Sequence, residues 1–463
     1  MNKKLALTMI LSIIIIAGLS AWSITDDYFG NRFGILDARS YAMGSTGVYN
    51  ALRPSAITLN PANLTLINRP AGLEGSFFLD RNEDNRAVPL YNSFDSYIDD
   101  SVYASNLHFY DDYAGSGFIS FNPWKLRLGV GAYYQPLLNF DGNYEEEIRN
   151  NRNTDNDNYP EKIAVNTITN EGVLNQASGV LCIGYNLGEN ADFNLGFDFG
   201  KLWGKTKYQK DIHWTQWAID TVGEGVLPDS SYIENVDLDG YRFKVGMSAQ
   251  VNKRVGIGAT YTFKSTLDRT IDWTKTYGGV EVGSTTDAKE DYIIPSEFRL
   301  GINYQPRNII RTWFNIEGEY VRFSELGDQY KDAINFYAGV EHNIKYAIPF
   351  RFGFQATNSY LRTIESDNSI IVKRIITPMI TGGSSIPLTD KLHLDLGFGY
   401  SWREYEAIDL FRDSYYDDRH YTGENSYQLW PNQYIVLKDR AWENPDKVRE
   451  SNISLSTSLS YTW

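Results

Sequence analysis

The sequence predicts an all-β fold, a closed antiparallel transmembrane β-barrel of about 14 strands. Three features predict it: apolar and polar residues alternate along many segments, short and long connections alternate between them, and the last segment ends in an aromatic residue. In the stretch 453–463, Ile453, Leu459 and Trp463 share one side of an extended chain, while mostly serine side chains take the other. One face of this strand suits lipid and the other suits water, as the closing strand of an outer-membrane barrel requires.

The same period-two alternation recurs in the interior of the chain. It is regular in the stretches 193–200, 255–264, 297–304 and 392–403. A chain of 463 residues with 14% aromatic residues fits one large barrel, in which aromatic side chains form girdles at the two membrane interfaces. A soluble β-sandwich also alternates, but its C-terminus does not need an apolar strand that ends in tryptophan.

The connections predict which end of the barrel faces outward. Tight links occur at positions such as 122–125, 188–191 and 305–308, and longer polar links lie between most of them: 81–113, 141–171, 211–239, 272–291 and 404–449. This asymmetry is typical of tight periplasmic turns and long external loops. The stretch 104–110 is placed inside the first external loop, and a count of about 16 strands stays open if it is a strand.

The amino terminus predicts export. Lys3 and Lys4 precede an apolar run over residues 5–17, and small residues follow it. We interpret residues 1–21 as a signal peptide, with an uncleaved membrane anchor as the alternative. The expected location is the outer membrane of a bacterial cell, with membrane lipids as neighbours and a monomeric barrel over residues 71–463.

Several function classes are disfavoured. A formal charge of -15 argues against a nucleic-acid partner. Cys182 has no second cysteine with which to pair, and the five histidines form no recognisable catalytic or metal-binding motif. We therefore expect no enzyme activity, no cofactor and no metal site, and we interpret the acidic stretch 155–158 as a solvated loop.

Residues 22–70 do not alternate, and they carry a family resemblance. The stretch 38–47, with its Met43-Gly44 pair, and the Asn-Pro-Ala-Asn-Leu stretch 60–64 resemble the amino-terminal signature of FadL-type outer-membrane transporters and their PorV-like relatives. The stretch 295–304 and the pair of stretches 339–341 and 349–353 resemble later motifs of the same barrels.

The resemblance implies that residues 22–70 form a hatch inside the lumen. It assigns a hatch or ligand-path role to Arg39, Met43, Gly44, Asn60, Pro61 and Ala62. The alternative is that these residues only fold the plug. An apolar ligand pocket would be lined from the same segment, and the candidates are Phe29, Phe33, Ile35, Tyr41, Met43, Leu59 and Leu64.

Strand parity predicts a polar network in the lumen near the periplasmic turns. Its members are Glu297, Arg299, Glu341, Arg351 and Asp395. Glu341 and Arg351 occupy similar heights on one hairpin, so we expect them to pair. The network either holds the hatch in register or lines a path for polar solutes.

Pro136 interrupts the strand over residues 126–140 because proline donates no ladder hydrogen bond. FadL-type transporters have a kinked third strand that opens the wall sideways, and Pro136 resembles that position in strand order. The alternative is a proline that ends the strand at an external loop.

Two functions follow from the resemblance. The first is a channel for passive uptake of hydrophobic small molecules such as long-chain fatty acids. The second is a PorV-like barrel whose external loops bind secreted protein cargo for export or surface attachment.

Overall fold

The computed structural model describes most of the chain, in these ranges: 28–32, 36–49, 53–91, 96–149, 162–188, 191–222, 228–343, 348–364, 370–407, 410–411, 426–430, 433–436 and 446–463. The predicted signal peptide, the predicted hatch residues 22–27, and Phe33 and Ile35 lie outside the described residues. The acidic stretch 155–158 also lies outside them.

The segment before the wall forms short elements. Strand β1 (Asn31–Arg32), helix α1 (Ala38–Ala42), helix α2 (Ala56–Leu59) and a 3-10 helix (Pro61–Leu66) follow one another in the chain. Among the described residues, no helix is both long and apolar enough to cross a bilayer.

The wall is a closed barrel of 14 antiparallel strands, as predicted. It closes where the first wall strand pairs with the last, from Gly72 opposite Thr462 to Ala87 opposite Lys447. The strands and the helix α3 are, in order: β2 Ala71–Tyr91, β3 Tyr97–Phe121, β4 Leu126–Asn139, β5 Gly142–Arg149, β6 Lys162–Gly188, β7 Ala191–Trp214, α3 Gln216–Val222, β8 Ser230–Asn252, β9 Val255–Thr262, β10 Ser265–Tyr277, β11 Val280–Ile294, β12 Glu297–Tyr304, β13 Thr312–Val321, β14 Ala333–His342, β15 Phe350–Ile364, β16 Ile370–Pro387, β17 Leu392–Ala407, β18 Ser426–Trp430, β19 Gln433–Val436 and β20 Asp446–Thr462.

At three places around the barrel, one wall strand is made of two consecutive segments: β4 with β5, β9 with β10, and β11 with β12. Strands β4 and β5 both pair with β6, and β9 and β10 both pair with β8. Strand β11 pairs with β10 and β12 pairs with β9, so these two segments also share one position. The short hairpin of β18 and β19 lies outside the wall sheet.

The predicted alternation sets the two faces of the wall. In β12, Phe298, Leu300 and Ile302 are exposed on the outer face, while Glu297 and Arg299 are buried in the lumen. The outer belt is apolar because it contacts lipid, and the inner face is polar because it contacts water or the segment inside the barrel.

The expected loop at 104–110 is wrong, because these residues lie in strand β3. The β2–β3 ladder continues through Arg81 opposite Phe109 to Arg86 opposite Ala104, so the predicted external link 81–113 is mostly a long hairpin. Beyond the bilayer both faces of a hairpin meet water or the lumen, so the apolar alternation that marks a membrane strand is lost there although the ladder continues.

The wall is lower on one side. Strands β13 and β14 have 10 residues each, whereas β15, which pairs with β14, has 15. The connection between β13 and β14 contains a 3-10 helix, Phe323–Leu326.

We predict that Ile316→Arg lowers the free energy of unfolding by about 2–4 kcal/mol, because an outward cation near the bilayer midplane is costly. Ile316 is 58% exposed on the outer face of β13. The matched control is Ile309→Arg in the turn before that strand, where the side chain is 96% exposed and the same cation should cost at most about 1 kcal/mol. Unfolding by denaturant in lipid vesicles measures both, and equal costs would contradict a lipid-facing Ile316.

Candidate functional site: the filled lumen and its cavity

The described residues 36–49 and 53–70, here called the plug segment, lie inside the barrel. Asp37 starts helix α1, where its Oδ1 accepts a hydrogen bond from the Arg39 backbone at 3.1 Å and its Oδ2 accepts one from Ser40 at 3.0 Å. This is an N-cap, which satisfies donors that the first turn of a helix leaves free. The segment also bonds to the wall, since the Ala38 backbone donates to Ser458 Oγ at 2.9 Å.

Asn60 binds the plug segment both to itself and to the wall. Its Oδ1 accepts from the Ala62 backbone at 3.0 Å, while its Nδ2 donates to the carbonyls of Val48 at 2.7 Å and Met247 at 3.1 Å. Pro61 occupies the first position of the 3-10 helix, where a missing N–H costs nothing. The Asn-Pro-Ala motif therefore folds the plug segment and bonds it to the wall. Folding the plug is the alternative role considered for this motif from the sequence.

Inward glycines let the plug segment contact the wall backbone directly. Gly44 has φ of +67°, which favours glycine, and a Cβ there would lie 2.5 Å from the Ala338 carbonyl oxygen. A Cβ on Gly353 would lie 1.9 Å from the Gly44 nitrogen, and one on Gly339 would lie 2.2 Å from the Met43 oxygen. The Met43-Gly44 pair thus packs on the β14–β15 hairpin.

A second glycine contact supports the Asn-Pro-Ala motif. A Cβ on Gly246 would lie 1.9 Å from Asn60 Oδ1, and one on Gly196 would lie 2.3 Å from the Ala62 nitrogen. Sequence reasoning missed this set of glycines, although their inward parity on β7 and β8 was readable.

Ion pairs join the plug segment to the predicted polar network. Arg39 binds Glu341 through Nε to Oε2 at 3.0 Å and Nη2 to Oε1 at 3.2 Å. Arg351 Nε binds the same Glu341 Oε2 at 2.5 Å, which gives the predicted pair, and Arg351 Nη1 binds Asp395 Oδ1 at 2.9 Å. Arg53, which sequence reasoning missed, binds Asp395 Oδ2 at 2.7 Å.

Arg299 forms a second ion pair on β12 and β13, next to the β14–β15 hairpin. Its Nη2 lies 2.7 Å from Glu317 Oε2 and donates to the Ser45 carbonyl at 2.5 Å. Glu317 Oε1 accepts from the backbones of Gly47 at 2.6 Å and Val48 at 3.0 Å. Glu317 was missed because it does not stand directly opposite Arg299 in the ladder; Glu319 does.

Glu297 belongs to a different environment. It pairs with Arg242 at 3.2 Å and with Arg32, and all three residues line a cavity. The predicted network is therefore divided. Arg299, Glu341, Arg351 and Asp395 anchor the plug segment directly or through a shared partner, while Glu297 lines the cavity, as Arg299 also does.

The cavity has a volume of about 290 Å³. Its apolar lining includes Phe29, Leu59, Phe78, Leu137, Leu138, Tyr292 and Phe323. Phe29, Tyr41 and Leu59 were predicted to line such a pocket and do so. Met43 and Leu64 are instead fully buried elsewhere, as are the predicted path residues Asn60 and Ala62. The six residues predicted for a hatch or ligand-path role pack against the wall or within the plug segment, and none of them lines this cavity.

Two cations lie next to each other on the cavity wall. Arg242 and Lys244 project from the same face of β8 into the cavity. Lys244 Nζ donates to the Thr58 carbonyl at 2.6 Å. These side chains were readable as inward-facing from the alternation of the stretch 241–247, but sequence reasoning did not select them.

The wall has a break where the cavity reaches it. The β3–β4 ladder extends from Phe121 opposite Leu128 to Gly115 opposite Tyr134 and ends there. The β4–β6 ladder continues but is irregular between Pro136 and Leu138. Pro136 thus lies inside a strand and lines the cavity, so the interpretation as the strand end is wrong.

Side chains bridge the break where the ladder is missing. Asn139 Nδ2 donates to Asp112 Oδ2 at 3.2 Å, and the Glu145 backbone donates to Asn106 Oδ1 at 3.1 Å. Strand β1 pairs with β4 at Leu138 and Asn139, on the edge that β3 has left, because the other edge of β4 pairs with β6 there. Among the described residues, no cluster of histidine, cysteine and acidic side chains is suited to a metal ion.

These features define the class: a closed outer-membrane β-barrel with a filled lumen and an internal cavity. No protein-family model matches the sequence, and no curated protein matches it.

Solved structures do match. The chain is similar to a FadL homologue from Pseudomonas aeruginosa at a TM-score of 0.58 and 12% identity, over 94% of this chain and 99% of that one. It is similar to the Pseudomonas putida toluene transporter TodX at 0.54 and 12%, over 97% and 100%. It is also similar to the monoaromatic hydrocarbon channel CymD at 0.51 and 13%, over 94% and 99%. The predicted FadL-type resemblance is confirmed for the fold.

We predict that Glu341→Gln loosens the plug segment, because Arg39 then loses its carboxylate partner, while Arg351 keeps Asp395 and Ser385. Removing one member of a buried ion pair typically costs about 3–5 kcal/mol. The double variant Arg39→Gln/Glu341→Gln should lie closer to the native protein, since Arg351 keeps its bond to Asp395.

Limited proteolysis of residues 36–70 in the folded barrel measures the difference. Asp237→Asn serves as the control, because Asp237 pairs with Lys205 on the exposed outer surface. Equal cleavage of the single and double variants would show that Arg39 and Glu341 do not depend on each other.

Proposed function

We propose that this protein is an outer-membrane channel for the passive uptake of hydrophobic small molecules. The observation that carries the proposal is the continuity between the internal cavity and the break in the wall at Pro136. A cavity that is partly apolar and reaches a break in the wall suits a molecule that partitions into the bilayer.

The cavity lining supports the ligand class. Aromatic and aliphatic side chains from β2, β4 and β11 surround the space, which is large enough for a small organic molecule. The similar solved structures include a toluene transporter and a monoaromatic hydrocarbon channel.

Long-chain fatty acids are the narrower proposal. Arg242 and Lys244 offer two cations to a ligand carboxylate, and the apolar lining beside them accepts an acyl chain. Charge-assisted hydrogen bonds to a carboxylate are among the stronger polar contacts available in a desolvated site.

The route proposed for the ligand runs sideways through the wall. The plug segment is bonded to β12 and β14, the two strands that flank β13: Arg39 forms a buried ion pair with Glu341, and the Ser45 carbonyl accepts a hydrogen bond from Arg299. A hydrophobic molecule that leaves between β3 and β4 enters lipid without crossing water. Pro136 acts in this proposal as the residue that keeps the lateral gate unpaired.

The alternative of a PorV-like barrel that binds secreted cargo stays a prediction. It depended on the external loops, and the loop residues 412–425 lie outside the described residues.

We predict that Pro136→Val slows uptake of a fluorescent fatty acid into cells, because valine restores a donor and favours strand pairing at the break. The matched control is Pro378→Val, since Pro378 stands in β16 opposite Ala356 in a ladder without irregularity. Assembly is checked by the amount of folded barrel in outer-membrane fractions. Unchanged uptake by correctly assembled Pro136→Val would contradict the lateral gate.

A further inference from the structure

The cavity lining contains a buried carboxylate, Asp80, to which the proposed function assigns no role. Asp80 lies on β2, is 1% exposed and lines the cavity. Neither of its carboxylate oxygens has a hydrogen-bond partner within the described part of the chain. A buried carboxylate without donors is costly, so its environment is incomplete without a further group.

The polar neighbours of Asp80 are engaged with one another. Asn82 Nδ2 donates to Asn452 Oδ1 at 2.8 Å, and Asn452 Nδ2 donates to Ser401 Oγ at 3.3 Å. The hydroxyl groups of Tyr41 and Ser454 contact each other. These donors already have acceptors, which leaves the carboxylate facing the cavity.

Apolar side chains stand beside the carboxylate. Phe78, two residues earlier on the same face of β2, packs edge-on against Tyr41 with ring centroids 5.4 Å apart. Met379 joins them in one buried cluster, and all three residues line the cavity. A ligand seated on this surface places its next atoms close to Asp80.

We propose that Asp80 is the centre of a subsite that selects ligands carrying a hydrogen-bond donor on an apolar body. A hydrocarbon packed on Phe78 and Met379 leaves the carboxylate unsatisfied. A hydroxyl or ammonium group at that point satisfies it with a charge-assisted hydrogen bond. The subsite rests on the proposed function, because small molecules must enter the cavity to reach it.

The test uses the full barrel in lipid nanodiscs and four radiolabelled probes of equal chain length: decane, 1-decanol, decylammonium and decanoate. Binding to empty nanodiscs is subtracted. The variants are Asp80→Leu, which removes the acceptor, and Asp80→Asn, which keeps one acceptor oxygen without the charge. The matched control is Asp84→Asn, an acid on the same strand that is 4% exposed and bonded to Arg86.

Asp80→Leu should weaken binding of decanol and decylammonium by roughly 10- to 100-fold, the effect of losing a hydrogen bond to a charged group, and leave decane binding unchanged. Asp80→Asn should weaken decylammonium more than decanol, because the amide still accepts from a hydroxyl. Asp84→Asn should retain the native order of affinities.

Retained decane binding also shows that a variant is folded. Equal loss of all four probes in both Asp80 variants would overturn the subsite, because Asp80 would then be structural. Native selectivity in folded Asp80 variants would overturn it too, while the uptake function stands. Failure of the native protein to bind any of the four probes would overturn the proposed function itself.

Discussion

The need to satisfy backbone polar groups inside a membrane-embedded barrel governs this structure. The plug segment has no ladder partners of its own over most of its length, yet it lies at membrane depth, where each N–H and C=O requires a partner. Short helical turns provide some of them, and wall side chains provide others, as Glu317 does for Gly47 and Val48. Glycines on the inner wall bring the two backbones close enough for these bonds.

The buried charged side chains in the lumen also need partners. The lumen-facing acids Glu341 and Asp395 each accept from an arginine of the plug segment and from Arg351 of the wall. A shared arrangement of this kind gives the plug segment one register, because a shift of one residue would leave buried charges unpaired. The plug segment therefore holds Tyr41 and Leu59 in fixed positions in the cavity lining. In the proposed route, the cavity meets lipid at the irregular ladder beside Pro136.

Sequence alone predicted the parts of the fold that the bilayer imposes. Lipid on one side and a polar lumen on the other force strict alternation, so β12 and the parity of Glu341, Arg351 and Asp395 were readable. Outside the bilayer this contrast disappears, so the sequence predicts a loop over 104–110, where the structure has a strand. The amino-terminal motif was recognised, but its role as a wall contact rather than a cavity lining depends on glycines distant in sequence.

The missed charged residues have physical reasons as well. Arg53 lies in a stretch without periodicity, so no parity argument reaches it. Glu317 binds Arg299 across the diagonal of a strand pair, whereas a ladder argument selects the residue directly opposite. Arg242 and Lys244 had the correct parity on β8, but sequence gives no measure of the space in front of them.

The sideways route is tested most directly by photo-crosslinking in intact cells. The cells receive a fatty acid with a diazirine on its acyl chain and are illuminated during uptake. Mass spectrometry then maps the residues of the protein to which the fatty acid has become attached. The proposed route predicts adducts on Leu137 and Leu138 in the cavity and on Tyr113, which is 64% exposed beside the end of the β3–β4 ladder. Adducts on Ile67 and Arg69, with none on Leu137 or Leu138, would show passage past the plug segment towards the periplasm and would contradict the route through the wall.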